Sequence, residues 1–198
     1  MVNTLYRIKR ALLTIPTNII NRLHFAFTGA KVGGNFGSCG TILIRNYAGK
    51  EGIIIGQNVF VNSARLANPI GGDIKTIMFV SEGAQLIIGD GVKISNATFF
   101  VQNRIAIGDQ TFVGGGTRIY DSDFHSVHPE YRLNGNTHIL SASVTIGKRV
   151  FIGSNVLILK GVTIGDESVI GAGSVVTKNI PAGQIWAGNP AKFIKNIK

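Results

Sequence analysis

Between Tyr120 and His138 the sequence YDSDFHSVHPEYRLNGNTH gathers three of the chain's four histidines and three of its ten acids. A neutral imidazole can take a proton from a hydroxyl at pH 7. A carboxylate beside it can fix its orientation and stabilise the imidazolium that forms. If the segment is extended, Asp121, Asp123 and His125 alternate onto one face, within reach of one another. His125, His128 and His138 are the candidate bases. The same three, were they to converge, would make a ligand set for zinc, but convergence would have to arise inside one irregular loop. His24 has no acid near it in sequence and reads as structural.

The elements that must hold this segment are written on either side of it. An aliphatic residue returns at every sixth position through Ile146, Ile152, Ile158, Ile164, Ile170 and Val176. That spacing marks a parallel β-helix, in which three hexapeptides make one triangular coil and coils stack about 4.8 Å apart. The first and fifth positions point inward, the second is Gly in four of the six copies, and the third and fourth suit a bend. Upstream the same beat begins at Ile55, at Ile88 and at Ile107. A cruder first coil runs from Val32 through Ile42 and Ile44. From Ile107 to Ile146 is 39 residues, one coil plus a large excursion, and that excursion is the histidine-bearing stretch 120–138. A long loop leaving a rigid solenoid is where function concentrates.

With 198 residues, 26 of them Gly, and 44% hydrophobic, the chain reads as one domain able to bury a sizeable core, with no linker or low-complexity tract. Its net charge of +10 is carried almost wholly at the ends. Arg7, Lys9, Arg10, Arg22 and Lys31 stand near the start without an acid, and Lys178, Lys192, Lys195 and Lys198 follow Glu167. A nearly neutral middle argues against a nucleic-acid partner, whose phosphates need basic residues along the whole solenoid. The single Cys39 cannot form an intrachain disulfide and reads as a buried thiol.

Residues 1–31 form a separate segment. Leu5, Ile8, Leu12, Ile15, Ile19, Ile20, Leu23 and Phe27 fall at helical spacing, and Pro16 is expected to split the segment into two short helices. The longest uncharged run, Ala11 to Asn21, is far short of the roughly 18 residues a membrane span needs. The pattern is also poor as a signal peptide. Two compatible readings remain: a cap sealing the solenoid's open end, which is favoured, and a basic amphipathic anchor on a membrane surface.

The hexapeptides, the excursion and the ending IGAGSVVTKNIPAGQIWAGNPAKFI together resemble the left-handed β-helix acyltransferases, in the branch of maltose, galactoside and polysaccharide O-acetyltransferases. The likeness covers about residues 32–197. It implies an all-β, left-handed parallel β-helix over residues 32–198 that transfers acetyl from acetyl-CoA to a sugar hydroxyl in making a surface polysaccharide, with no metal required. DSDFH resembles the polysaccharide branch's Asp-x-Asp-x-His motif, which makes His125 the expected catalytic base and Asp123 its orienting acid. His128-Pro129 imitates a pair of the galactoside enzymes and is the second candidate. On the acceptor side the resemblance implies Asn96, Arg132 and Phe151, the last standing where galactoside-type enzymes often carry Trp. On the donor side it implies Lys192 near the coenzyme A phosphates, with Thr177, Lys178, Ala172 and the backbone N–H of Ser154 along the pantetheine and thioester. It further implies a homotrimer with sites between subunits, working in the cytoplasm or at the inner face of the membrane. Other readings are N-acetyl transfer to a nucleotide-linked amino sugar, a zinc enzyme of the γ-carbonic-anhydrase kind, and a non-catalytic scaffold subunit, since all share the repeat.

Overall fold

The computed structural model describes residues 2–197. The side chains of residues 2, 3 and 5–10, including Leu5, Arg7, Ile8, Lys9 and Arg10, lie outside the described residues, as does Lys198. The chain winds as a left-handed parallel β-helix whose three faces are three sheets. Face 1 stacks Lys31–Val32, Ile53–Ile55, Gln85–Ile88, Arg104–Ile107, Val144–Ile146 and Thr163–Ile164. Face 2 stacks Gly37–Cys39, Phe60–Asn62, Lys93–Ser95, Phe112–Val113, Phe151–Ile152 and Val169–Ile170. It ends in Gln184–Ala187 and an antiparallel strand, Lys192–Asn196. Face 3 stacks Leu43–Asn46, Ile77–Val80, Thr98–Val101, Arg118–Tyr120, Leu157–Ile158 and Val175–Val176.

Register turns the six-residue beat into apolar ladders. Ile55, Ile88, Ile107, Ile146 and Ile164 stand one above another on face 1, each buried. Val61, Ile94, Val113, Ile152 and Ile170 do the same on face 2. The fifth position is buried too, as at Val150, Val156 and Val162. Where it is serine the hydroxyl is satisfied: Ser168 donates to the Pro181 carbonyl at 2.8 Å and Ser174 to Gly171 at 2.6 Å. Cys39 is likewise fully buried.

Two positions of the repeat are small or polar for different reasons. The fourth takes a left-handed backbone, with φ of 56° at Asn58, 57° at Gln110, 54° at Arg149 and 57° at Asn155. The second is Gly because the next coil leaves no room for a side chain. A Cβ on Gly153 would lie 2.6 Å from the Ala172 nitrogen, and one on Gly108 2.6 Å from the Gly147 carbonyl carbon.

The first element is one continuous helix, α1 (Val2–Phe27), not the expected pair broken at Pro16. Pro16 and Leu12, one turn apart, both lie on the exposed side of α1, away from the solenoid. The Thr17 hydroxyl donates to the Leu13 carbonyl at 2.6 Å. The opposite side of α1 docks on the first coil. Thr17 and Asn21 accept from the N–H groups of Gly40 and Ile42 at 3.1 and 3.0 Å, and Asn18 accepts from Ser38 N–H at 2.6 Å. Phe25, 1% exposed, meets Phe36 edge to face at 5.5 Å and closes the end of the core.

Two loops leave the coils. One is the histidine-bearing excursion between Tyr120 and Val144. The other, residues 64–75, is absent from the sequence expectations although its Asn68-Pro69 and Gly71-Gly72 pairs are turn signals. Asn68 caps a short 3₁₀ turn, Pro69–Gly71, by accepting from Ile70 N–H at 3.1 Å.

Candidate active site

The excursion leaves the corner between faces 3 and 1, and its two legs pair as they part and return. Asp123 N–H donates to Leu140 at 3.0 Å and Ala142 N–H to Asp121 at 2.8 Å. Asp121 is fully buried, and its two carboxylate oxygens accept from Gln102 and Asn103 N–H at 2.8 Å each. Burial pushes its carboxyl above the ordinary carboxylate range in spite of those bonds. Asp121 therefore anchors the loop to the coil that precedes it.

Asp123 does not orient His125. Its carboxylate lies 2.7 Å from Nζ of Lys160, in the following coil, with both side chains half-buried. The expected alternation fails at Phe124, where φ is 63° and His125 N–H turns back to the Asp123 carbonyl at 2.7 Å. A turn replaces the extended strand, so positions 121, 123 and 125 do not share a face. Phe124 is held in this uncommon conformation by its ring, which packs 4.6 Å from Phe100 and 5.0 Å from Tyr120 on the outside of face 3. The His125 side chain beside it is exposed, and among the described residues no carboxylate bonds to it.

The remaining loop residues hold one another. α2 (Pro129–Leu133) begins just after His128, whose Nδ1 lies 3.8 Å from Glu130. Tyr131 sits between His128, at 5.9 Å edge-on, and His138, at 4.0 Å. Arg132 donates to the Ser126 and Val127 carbonyls at 2.9 and 3.4 Å, so its contacts close the loop instead of reaching outward for an acceptor. Among the described residues no three His, Cys, Asp or Glu side chains come together as a metal site.

A second group lies at the corner between faces 2 and 3. A backbone ladder runs down it: Gly116 N–H to Asn96 at 3.1 Å, Asn155 N–H to Gly115 at 2.8 Å, and Gly173 N–H to Ser154 at 2.8 Å. This places Ser154 one coil from the exposed Ala172, and the Ser154 N–H has no acceptor among the described residues. Asn96 departs from its expected role. It is fully buried, and its amide donates to the Ile74 carbonyl beneath the loop 64–75. A Cβ on Gly71 would come within 2.5 Å of it. Its amide nitrogen pins the loop, while its buried Oδ1 has no partner among the described residues. Phe151 is 51% exposed on the outside of face 2, paired in register with the equally exposed Phe112, so the two form an apolar strip.

The third group is brought together by the chain's last turns. A cavity of about 320 Å³ is lined by Thr177, Lys178, Lys192, Trp186, Pro190 and Phe193, with Ala191 between them. Two hydrogen bonds from backbone N–H groups build it: Gly188 to the Ser174 hydroxyl at 3.1 Å and Ala191 to the Val175 carbonyl at 2.8 Å. The Trp186 indole donates to Gln184 at 2.8 Å and shows the cavity its ring. Two ammonium groups over an aromatic wall suit a ligand with phosphates and an apolar body. Trp186 was missed as a lining residue, though the chain's only tryptophan, set between VTKNIP and AGNPAK, was a visible signal.

The loop's root, Lys160 and Thr177-Lys178 share the corner between faces 3 and 1. Ser154 and Ala172 lie at the corner between faces 2 and 3. Six residues at about 3.3 Å each separate the two corners, roughly 20 Å.

Comparison with known proteins matches residues 143–178 to the family described as the hexapeptide repeat of succinyl-transferase. The galactoside O-acetyltransferase of Escherichia coli K12 is 40% identical over 121 residues, which is 61% of this chain and 58% of that protein. The polysialic acid O-acetyltransferase of Escherichia coli O1:K1 is 39% identical over 127 residues, 62% of this chain and 40% of that protein. The chain thus spans about half the length of these curated relatives. A solved galactoside acetyltransferase in complex with coenzyme A superposes with a TM-score of 0.60 at 30% identity, over 89% of this chain and 69% of that one. Stacked hexapeptide coils shared to that extent leave one conclusion: the chain belongs to the hexapeptide-repeat acyltransferase family.

Proposed function

We propose that the protein is an acetyl-CoA-dependent O-acetyltransferase whose acceptor is the hydroxyl of a sugar in a surface polysaccharide. The observation that carries this reading is the cavity at the end of the solenoid, where Thr177, Lys178 and Lys192 meet around Trp186. Its ammonium groups would take the phosphates of coenzyme A, and the pantetheine would run toward Ala172 and Ser154. The Ser154 N–H would then stabilise the oxyanion formed when the thioester carbonyl is attacked. His125 is the base in this reading. It takes the acceptor's proton as the oxygen attacks, then returns it to the departing thiolate, leaving the acetyl ester and free coenzyme A. The coenzyme A complex of the galactoside acetyltransferase supports the donor assignment, and the polysialic acid relative supports a glycan acceptor.

The split between corners bears on assembly. The loop's root stands one face away from Ser154, so the site is completed if a neighbouring copy supplies the opposite wall. We propose a homotrimer on this ground.

The test is thiol release from acetyl-CoA across free sugars, nucleotide sugars and polysaccharide fragments. The His125→Ala variant should lose about 10²- to 10⁴-fold in kcat while still binding coenzyme A. A protein that does not bind acetyl-CoA at all overturns the reading. Light scattering coupled to gel filtration should give three copies, and a stable monomer overturns the assembly.

A further inference from the structure

Helix α1 is built inside out for a cap. The side it sets against the solenoid carries Thr17, Asn18 and Asn21, whose polar groups bond to the backbone of the first coil, together with the buried Phe25. The opposite side carries Leu12, Ile15, Ile19, Leu23 and Phe27 at intervals of three and four, and these are between 57% and 92% exposed. Sixteen residues from Leu12 to Phe27 make a continuous apolar stripe about 23 Å long. Isolated exposed apolar side chains are ordinary, but a stripe of this kind marks a contact surface.

Charge decides what covers it. No acid precedes Glu51, while Arg7, Lys9, Arg10, Arg45 and Lys50 do; of the remaining two cations before it, Lys31 is paired with Glu51 and Arg22 donates to the Phe36 carbonyl at 3.0 Å. A neutral partner surface would gain nothing from this bias, whereas anionic headgroups above an acyl layer meet both features at once. Among the described residues no helix is long and apolar enough to cross a membrane, so the contact the sequence pattern allows is one that lies in the interface plane.

We infer that α1 holds the protein on the surface of an anionic phospholipid bilayer. Its apolar stripe enters the headgroup boundary and its polar side grips the first coil. The stripe lies opposite the docked side, so it faces away from the stacked coils, and the cavity lined by Trp186 and Lys192 stands at the far end of the solenoid. A cyclic assembly whose symmetry axis runs along the solenoids points every copy the same way. Several helices would then meet one membrane together and strengthen the attachment. The inference goes beyond acetyl transfer and does not depend on it.

The test is flotation of the full-length protein with vesicles of phosphatidylcholine alone and with about 30 mol% phosphatidylglycerol. The protein should float with the anionic vesicles and float less as salt rises. The combined variant Leu12→Glu, Ile19→Glu, Leu23→Glu should reduce flotation by about tenfold or more. Its thermal midpoint and its mass by light scattering should match those of the parent. Three outcomes overturn the inference: no flotation of the parent on anionic vesicles, undiminished flotation of the variant, and loss of subunits from the variant in lipid-free solution. The last would show that a second copy of the chain covers the stripe. If the triple change unfolds the protein, Leu12→Ser with Ile19→Ser replaces it and is read in the same way.

Discussion

The Asp123 carboxylate and the Lys160 ammonium, 2.7 Å apart, join the leg of the histidine-bearing loop to the coil that follows it. Lys160 stands in ILKGVT, the copy of the repeat whose second position is Leu159 instead of Gly. The ion pair thus occurs where the coil pattern is itself relaxed. Replacing Lys160 by Met keeps the aliphatic stem and removes the charge. The fold should lose about 1 kcal/mol or less, because the pair is partly solvated. Hydrogen exchange in residues 120–142 should rise. If His125 is the base, kcat should fall more than KM changes. Unchanged exchange in that stretch would show that the pair does not hold the loop.

The cavity proposed to hold the donor gives a prediction that separates charge from packing. Lys178→Ala and Lys192→Ala should each weaken coenzyme A binding about tenfold, the worth of one charge-assisted contact. If either meets the 3′-phosphate, its effect should vanish with dephospho-coenzyme A. Calorimetry with both ligands reads this, and equal losses would place that lysine at the pyrophosphate.

Gly108 and Gln110 stand two residues apart at the same corner and should respond in opposite ways. Gly108→Ala forces a Cβ against the backbone of the next coil and should cost about 1–3 kcal/mol. Gln110 has φ of 57° and is exposed, so Gln110→Gly relieves a left-handed backbone and should leave stability within about 1 kcal/mol of the parent. Urea denaturation compares them, and a larger loss at Gln110 would contradict the division of roles.

Two acids of the solenoid should titrate with opposite sign. The Lys148 ammonium and the Asp90 N–H hold Asp109 below the ordinary carboxylate range. Its contribution to stability is therefore present above that range and is lost as pH falls through the folded value. Asp121 is pushed up by burial, so the fold favours its protonated form. Its contribution is fully present below the ordinary value and is lost as pH rises through the higher folded one. Between about pH 3 and 7, the gap in thermal midpoint between parent and Asp109→Asn should widen with rising pH, while the gap for Asp121→Asn should narrow. Slopes of the same sign would refute the assignment.

Much of the scaffold could be read from periodicity because every coil repeats one physical problem. An aliphatic residue must fill a narrow interior, a corner must bend, and the next strand must pass within contact distance. Ile146 to Val176 state the solution six times, so the three-faced stack is legible in the spacing alone. The resemblance of VTKNIP and AGNPAK groups Thr177, Lys178 and Lys192 at one end of the solenoid, and the structure sets all three around one cavity.

The loops were not legible in that way. DSDFH reads as an alternating strand, yet aromatic packing against Phe100 and Tyr120 holds Phe124 at positive φ and turns His125 away from the face of Asp121 and Asp123. Asn96 looks like a polar group awaiting an acceptor, but the loop 64–75 buries it. Pro16 looks like a helix break, but it falls on the exposed side of a helix held to the first coil by Thr17, Asn18 and Asn21.

The sequence by itself determined the β-helix, the place where the beat is interrupted and the basic character of both ends. These follow from short-range spacing and composition. Only the tertiary structure decided that Asp123 answers to Lys160, that Asn96 is sealed under a second loop, that Trp186 lines one cavity with Lys178 and Lys192, and that α1 turns its apolar stripe outward. Each of these depends on which residues from distant coils meet across a corner or an end, and a repeat with a period of six carries no record of that.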